Sequence, residues 1–198
     1  TIHVREDQRH VNKKDAILLK KKIKKPINLE MAPTNNMVNF ALKLKPKFVC
    51  IVPEKRKEVT TEGGLNLSHK NLKILINKLK KNNIEVSLFI NPSTKDVINS
   101  HKLGANAIEI HTGSFANAIK TKNKNKIILE FNKIKKCKLE CDKTKMKFNL
   151  GHGLDYKSTM YLNKIKNINE YNIGHFIIGE SLFDGFPKVI KKFKRLLS

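Results

Sequence analysis

Short apolar runs alternate along the chain with longer segments in which apolar residues recur every three or four positions. The short runs are rich in β-branched or aromatic residues and are bounded by glycine, proline or polar clusters, as strands are. The predicted strands are 1–5, 27–31, 48–53, 84–90, 107–111, 147–150 and 170–173. This alternation predicts an α/β protein with a parallel sheet and right-handed crossovers.

The longer segments have the periodicity of amphipathic helices. Residues 72–79 carry one apolar stripe at helical spacing. Thr34 and Ser93 are expected to cap the amino termini of helices over 35–44 and 94–103, because their hydroxyls accept hydrogen bonds from free backbone N–H groups.

Seven strand–helix units are one fewer than a (β/α)8 barrel contains. The chain begins directly in an apparent strand, at residues 1–4. We therefore expect a single barrel domain over residues 1–198, of the TIM type, with seven of eight strands present and the first strand unit missing at the amino terminus.

The formal net charge of +24 raises the possibility of nucleic-acid binding. Only Arg5, Arg9, Arg56 and Arg195 are arginines, although arginine is the residue that best matches phosphates and base edges. The lysines are scattered over most predicted helices, which favours a biased composition over a dedicated nucleic-acid site. Such a positive field would still speed the capture of phosphorylated small molecules.

Cysteine content and hydropathy limit the class of protein further. Three cysteines do not make a disulfide framework, which predicts a reducing, cytoplasmic location. Cys137 and Cys141 fall on a predicted helix without the further ligands of a zinc site, so no metal is expected. No apolar stretch reaches the ~20 residues that cross a bilayer.

Polar residues at the carboxyl-terminal ends of the strands are the candidate chemistry, because that is where barrel enzymes place their catalytic groups. His3, Glu30, Glu109 and His152 lie on the first, second, fifth and sixth predicted strands. A carboxylate inside an apolar strand is costly to bury unless it is partnered. An ion pair inside the barrel would satisfy either glutamate, but four such residues on one rim favour a site with shifted pKa values.

Glycines at the ends of the last two strands indicate phosphate binding. Gly151-His152-Gly153 and Ile173-Gly174-His175 stand there, where glycine lets a phosphate approach backbone N–H groups. The long loop at 54–67 is a candidate lid.

Seven segments spread over the whole chain resemble the pyridoxine 5′-phosphate synthase family. They are His3–His10, Asn28–Ala32, Val52–Arg56, Glu58–Leu65, Ile108–Gly113, Gly151–Leu154 and Asn172–Gly179. The resemblance implies a transferase that condenses 1-deoxy-D-xylulose 5-phosphate with 3-amino-2-oxopropyl phosphate. The products are pyridoxine 5′-phosphate, phosphate and water, and no metal or cofactor is needed.

The resemblance also implies roles for individual residues. His3 and Glu30 would be general bases, His152 the general acid, and Glu109 the group that stabilises cationic, imine-like transition states. Substrate-binding residues are implied for the deoxyxylulose phosphate at Arg5, His10 and Thr60, and for the amino-ketone phosphate at Gly153, Gly174 and His175. The family also implies a homo-oligomer, usually an octamer, with no membrane or specific nucleic-acid partner.

The chain departs from the family pattern at a few places. Leu150 and Phe176 stand where the family usually has alanine, and both are expected to add bulk near the phosphate sites. The asparagine, Asp-His pair and arginine that the family's first strand unit supplies are absent from this chain.

Three other functions stay open at this point. A phosphate-handling aldolase or isomerase would need a Schiff-base lysine at a strand end or a single acid–base pair. A decayed barrel of the same family would keep the motifs without the activity. A basic nucleic-acid-binding protein would bind DNA or RNA tightly, with a steep dependence on salt.

Overall fold

The computed structural model describes residues 1–54 and 63–198. Within them, the seven strands predicted from the pattern are confirmed, with ends displaced by no more than two residues. They are β1 (Ile2–His3), β2 (Asn28–Met31), β3 (Phe48–Ile51), β4 (Glu85–Ile90), β5 (Ala107–His111), β6 (Lys147–Gly151) and β7 (Glu170–Asn172).

The strands of the described residues form one parallel sheet whose spatial order follows the chain, from β1 to β7. In the register, His3 stands beside Glu30, and Glu30 beside Cys50. Sequential parallel strands, each followed by a helix, give the curled sheet of a (β/α) barrel, in which β1 and β7 are the two edges. The fold prediction is therefore confirmed, including its count of seven strands.

Helices follow every strand in the described part of the chain, and two follow each of β5 and β7. They are α1 (Lys13–Lys22), α2 (Asn35–Leu44), α3 (Leu72–Lys80), α4 (Thr94–Leu103), α5 (Gly113–Lys120), α6 (Lys124–Cys141), α7 (Tyr156–Leu162), α8 (His175–Asp184) and α9 (Phe186–Leu197). The predicted caps are confirmed, since Thr34 accepts a hydrogen bond from the N–H of Met37 and Ser93 from that of Asp96.

His69 lies before α3, in a turn closed by the N–H of Leu72 donating to its carbonyl. His101 is on α4, and both histidines are exposed, as expected of surface residues.

The core lies between the sheet and the surrounding helices. Strand residues such as Val49 and Ile51 face the helices and are fully buried in the main apolar cluster. The residues that alternate with them face the opposite side, where Cys50, Val52 and Phe89 form a second, small cluster. The same alternation puts Glu30 and Glu109 on this interior face, because their neighbours on either side belong to the main core.

None of the described helices is both long enough and apolar enough to cross a membrane.

Candidate active site

His3 lies between two carboxyl groups at the end of β1. Its Nδ1 is 3.5 Å from Oε2 of Glu30 on β2, and its Nε2 is 3.0 Å from Oε1 of Glu54, just after β3. The second oxygen of Glu54 accepts a hydrogen bond of 3.1 Å from the backbone N–H of Glu6. We call His3, Glu30 and Glu54 the histidine trio.

The two carboxyl groups of the histidine trio have opposite pKa shifts. Burial raises the pKa of Glu30, against the opposing charge of His3. Burial also acts to raise the pKa of Glu54, but the hydrogen bonds from His3 and the Glu6 N–H outweigh it and hold that pKa below its ordinary value. The environment therefore favours a proton on Glu30 more than on Glu54.

Glu109 is a buried carboxyl group on the interior face of β5. The side-chain amide of Asn172 on β7 donates a 2.7 Å hydrogen bond to its Oε2, and the Cys50 thiol lies 3.8 Å from the same oxygen. Burial raises the pKa of Glu109 to about 8, helped by the nearby carboxyl groups of Glu30 and Glu170. The charge of Glu30 thus contributes to the raised pKa of Glu109. With a pKa of about 8, Glu109 titrates near neutral pH.

Two imidazoles stack at the ends of β5 and β6. The rings of His111 and His152 are 4.7 Å apart at 29°, and the ring of Phe89 meets His111 edge-on at 5.4 Å. Burial and the neighbouring charge of His152 lower the pKa of His111 to about 4. His111 is therefore neutral around pH 7, and it supplies an aromatic wall against which His152 lies.

The backbone at His152 has an uncommon conformation with φ 76°, and Gly153 after it has the same φ. Thr112 holds this turn, because its Oγ1 lies 2.7 Å from the carbonyl oxygens of both Gly151 and His152. Its backbone N–H also donates to the Gly151 carbonyl at 2.9 Å. Thr112 consequently joins the end of β5 to the turn that carries His152.

The residues expected to bind the deoxyxylulose phosphate, Arg5, His10 and Thr60, do not share one environment. Arg5 is buried, with Nε 3.6 Å from Oδ1 of Asp7, and it lines a cavity of about 320 Å³ together with Glu6, Asp7 and Glu54. His10 is exposed in the segment between β1 and α1. Thr60 and most of the expected lid at 54–67 lie outside the described residues.

The residues expected to bind the second phosphate surround two turns. Gly153 follows His152, whereas Gly174 directly precedes α8 and His175 is its first residue. Both Gly174 and His175 are exposed. The residue at the N-cap position of α8 is Gly174, which has no side chain to cap the first N–H groups of the helix.

The two bulky departures, Leu150 and Phe176, have different surroundings. Leu150 is fully buried in the main core, on the face of β6 opposite to Asn149 and Gly151. Phe176 packs edge-on against the ring of Tyr156 at 4.9 Å. The expectation that both add bulk at the phosphate sites is not met by Leu150, because strand alternation points it outwards.

Sequence reasoning did not select four residues that the structure places in the site. Glu54, His111, Thr112 and Asn172 all fall within the motif segments, but no role was predicted for any of them. The signal for Asn172 was its place at the end of a strand, where a polar side chain meets the interior of the barrel. Among the described residues, no group of three or more His, Cys, Asp or Glu side chains could hold a metal ion.

Comparison with known proteins decides the family. The family model "Pyridoxal phosphate biosynthesis protein PdxJ" matches residues 1–198. The chain belongs to the PdxJ family. Its similarity to a family extends over the full length of the chain, which agrees with the seven motif segments found along it.

Several curated relatives of this PdxJ chain are named pyridoxine 5′-phosphate synthase. The one from Pelagibacter ubique is 48% identical over 198 residues, which cover 99% of this chain and 82% of that protein. Those from Blochmanniella floridana and Prochlorococcus marinus are 41% and 42% identical, with 100% of this chain covered and 79% and 82% of theirs. These names favour the synthase over the aldolase, decayed and nucleic-acid-binding alternatives.

Solved structures show the fold of this PdxJ chain independently of the family. The tryptophan synthase α-subunit of Pyrococcus furiosus aligns with a TM-score of 0.60 at 15% identity, over 93% of this chain and 71% of that one. The 3-hexulose-6-phosphate synthase of Salmonella typhimurium gives 0.63 at 12% identity, over 94% and 80%. At such identities the likeness concerns the barrel fold alone.

Proposed function

We propose that this PdxJ chain is a pyridoxine 5′-phosphate synthase that condenses 1-deoxy-D-xylulose 5-phosphate with 3-amino-2-oxopropyl phosphate. The observation that carries the proposal is the contact between His3 and Glu30, with Glu109 near enough to be shifted by the charge of Glu30. Three ionisable groups from three strands thus share the barrel interior, in a chain whose relatives are named for this activity.

The reaction proceeds through Schiff-base formation, dehydration, loss of phosphate and ring closure, and each step moves protons near neutral pH. His3 and Glu30 act as the general bases. Burial raises the pKa of Glu30 above its ordinary value, which makes its carboxylate a stronger base than an exposed one.

Glu109 stabilises the cationic, imine-like transition states. It is buried, and its pKa is raised to about 8 because burial and neighbouring carboxyl groups disfavour a negative charge there. A cation that forms beside Glu109 supplies the compensating positive charge and so favours the ionised carboxylate. The charge on Glu109 thus becomes most favourable when the substrate is most positive, which is differential stabilisation of the transition state.

His152 acts as the general acid that protonates the leaving oxygen. Thr112 fixes the turn that carries it, and His111 flanks its ring. Since only a correctly placed imidazole transfers a proton efficiently, these two contacts support the role.

Two phosphate groups require two binding sites. Arg5, His10 and Thr60 hold the deoxyxylulose phosphate, for which the guanidinium of Arg5 supplies a positive charge and hydrogen-bond donors. Gly153, Gly174 and His175 hold the amino-ketone phosphate, where the uncapped amino terminus of α8 offers backbone N–H groups and the positive end of a helix.

The direct test supplies the purified chain with both substrates and follows pyridoxine 5′-phosphate by chromatography and phosphate by a coupled assay. We expect both products, and a fall in kcat of about 100-fold or more in His3→Ala and Glu30→Gln, because general bases contribute on that order. His101→Ala, at an exposed position on α4, is the control and keeps the parental rate. Parental turnover in His3→Ala or Glu30→Gln would overturn the roles, and absence of product from the parent would overturn the function.

We also infer that the enzyme works in the cytoplasm, where its three free cysteines remain reduced, and as a homo-oligomer. Leu182 and Phe183 on α8 support the second inference, because they are 82% and 89% exposed and such apolar side chains are costly to leave in water. Sedimentation velocity measures the assembly, with the octamer of the family as the expected state. A monomer at micromolar concentration would contradict it.

A further inference from the structure

Both ring nitrogens of His3 face a carboxyl group, and the two contacts differ in kind. The Nε2 contact to Glu54 is a hydrogen bond of 3.0 Å, whereas Nδ1 lies 3.5 Å from Glu30, beyond ordinary hydrogen-bond length. Glu54 therefore has the stronger hold on the ring.

Glu54 is itself held in place. Its side chain is only 8% exposed, and its Oε2 accepts the N–H of Glu6 while Oε1 faces His3. The charge of Arg5 adds to these hydrogen bonds in favouring the ionised carboxylate. An ionised carboxylate has no proton to donate, so the hydrogen between Glu54 and His3 must come from Nε2.

We propose that Glu54 is a positioning residue that fixes His3 as the Nε2–H tautomer and leaves the Nδ1 lone pair facing Glu30. The proposal rests on the role of His3 as a general base in the proposed function. It follows the logic of carboxylate–imidazole pairs in general, in which the partner of one ring nitrogen decides what the other nitrogen can do.

This tautomer determines where the proton taken from the substrate goes. Nδ1 of His3 and the carboxyl of Glu30 form the basic pair, so the proton taken from substrate resides on one of these two groups. When it resides on Nδ1, the ring becomes an imidazolium whose Nε2–H points at the negative charge of Glu54. Glu54 thus stabilises the protonated base without touching the substrate.

Charges on the neighbouring elements also act on this trio and must be held constant in a test of pH dependence. In the described residues they include Arg5 and Arg9 from the segment after β1, the amino group of Thr1 before it, and Glu109 on β5. A single neutral substitution at Glu54 leaves all the others in place.

The experiment compares Glu54→Gln with the parent and with Glu85→Gln. Glu85 is the matched control, because its ion pair of 2.7 Å with Lys147 lies at the amino-terminal end of β4, away from the histidine trio. The ring nitrogens of His3 are observed by ¹⁵N NMR, and kcat and KM are measured across pH.

We expect the parent and Glu85→Gln to show a protonated Nε2 and an unprotonated Nδ1. In Glu54→Gln the carboxamide can offer either oxygen or NH₂ to the ring, so the tautomers mix. We expect kcat to fall about 100-fold with little change in KM, as for a misplaced general base. The acid limb of the pH profile moves to lower pH, because the imidazolium form of the His3 ring loses the anion that stabilises it.

Other outcomes overturn the proposal. A proton on Nδ1 of His3 in the parent would contradict the proposed tautomer. If Glu54→Gln changes only the melting temperature or KM, Glu54 has a purely structural role, in which it joins the segments after β1 and β3. Glu54→Asp retains the charge and is expected to recover the tautomer and the acid limb. The parent spectrum and this variant keep the test decisive if Glu54→Gln does not fold. Because NMR needs no turnover, a failed assay with a protonated Nε2 would refute the proposed function while leaving the tautomer assignment standing.

Discussion

The position of the Glu109 carboxyl group depends on a glycine in the neighbouring strand. A Cβ added at Gly151 would overlap Oε1 of Glu109, since the two residues lie on adjacent strands with the carboxyl turned towards the gap. The absence of a side chain at Gly151 is therefore a requirement of the site. The same argument does not apply to Gly179, where nothing lies within 4 Å of an added Cβ.

Substitution of Gly151 by alanine is expected to displace the Glu109 side chain and break its hydrogen bond with Asn172. We expect kcat to fall at least about tenfold, because misplaced catalytic groups lose that much or more, with a lower melting temperature. Gly179→Ala is the matched control and should raise stability by about 0.5–1 kcal/mol, since α8 gains a better helix former. Equal kinetics in Gly151→Ala and the parent would show that Glu109 tolerates another position.

Burial of Glu109 makes a prediction about stability and pH. Its folded pKa of about 8 lies above the ordinary value of 4.5, so the folded state binds a proton that the unfolded state has released between these two values. Its contribution to stability is complete below pH 4.5 and is lost as pH rises to about 8. Relative to Glu109→Gln, the parent should lose a few kcal/mol over this window.

Urea unfolding of the parent and of Glu109→Gln at several pH values measures the difference, in which the contributions of other titrating groups cancel. A constant difference between pH 5 and pH 8 would show that Glu109 is ionised throughout. Glu85→Gln serves again as the control, because its exposed ion pair should add no such pH dependence.

At the scale of elements, the ends of β5 and β6 act as one unit. Thr112 stands between β5 and α5, and its hydroxyl and N–H hold the turn after β6 in which His152 has positive φ. Without the hydroxyl, the carbonyl oxygens of Gly151 and His152 both lose a hydrogen-bond donor.

Thr112→Val keeps the shape of the side chain and removes the hydroxyl. We expect kcat to fall about tenfold with KM nearly unchanged, as the general acid loses its alignment, and Thr112→Ser to restore most of it. Thr121→Val is the control, since that hydroxyl also donates to a backbone carbonyl, of Asn117 at 2.8 Å, but at the far end of α5. If serine fails to rescue, the methyl group of Thr112 and not its hydroxyl is what matters.

The strands and the loops that follow them differ in how well the sequence predicts the site. Strand position and alternation were enough to expect His3 beside Glu30, because neighbouring parallel strands in register bring such residues together. The hydrogen bond from His3 to Glu54 was not predictable, since it depends on how the chain turns after β3 and no periodicity describes a loop. The pattern predicted one helix after each strand, whereas α5 and α6 both follow β5.

At the scale of the whole molecule, the dominant electrostatic feature is a large excess of lysine. The formal net charge is +24, whereas the site itself contains the carboxyl groups of Glu30, Glu54 and Glu109. Among the described residues, the lysines that give the chain its positive charge are therefore not the ones that form the site. Their effect on function acts at a distance, on the arrival of charged ligands.

Two phosphorylated substrates make this long-range effect measurable. Their capture should be favoured by the positive field at low ionic strength and weakened as salt screens it, because the Debye length falls from ~30 Å at 0.01 M to ~10 Å at 0.1 M. We expect kcat/KM for either substrate to fall about tenfold or more between ~0.02 M and ~0.5 M potassium chloride, within the range known for electrostatic steering. The change should lie in KM, with kcat nearly constant, because His3, Glu30 and Glu109 act at short range. Sucrose at matched osmolality is the control for non-ionic effects. A KM that does not change with salt concentration would show that the surface lysines do not contribute to substrate capture.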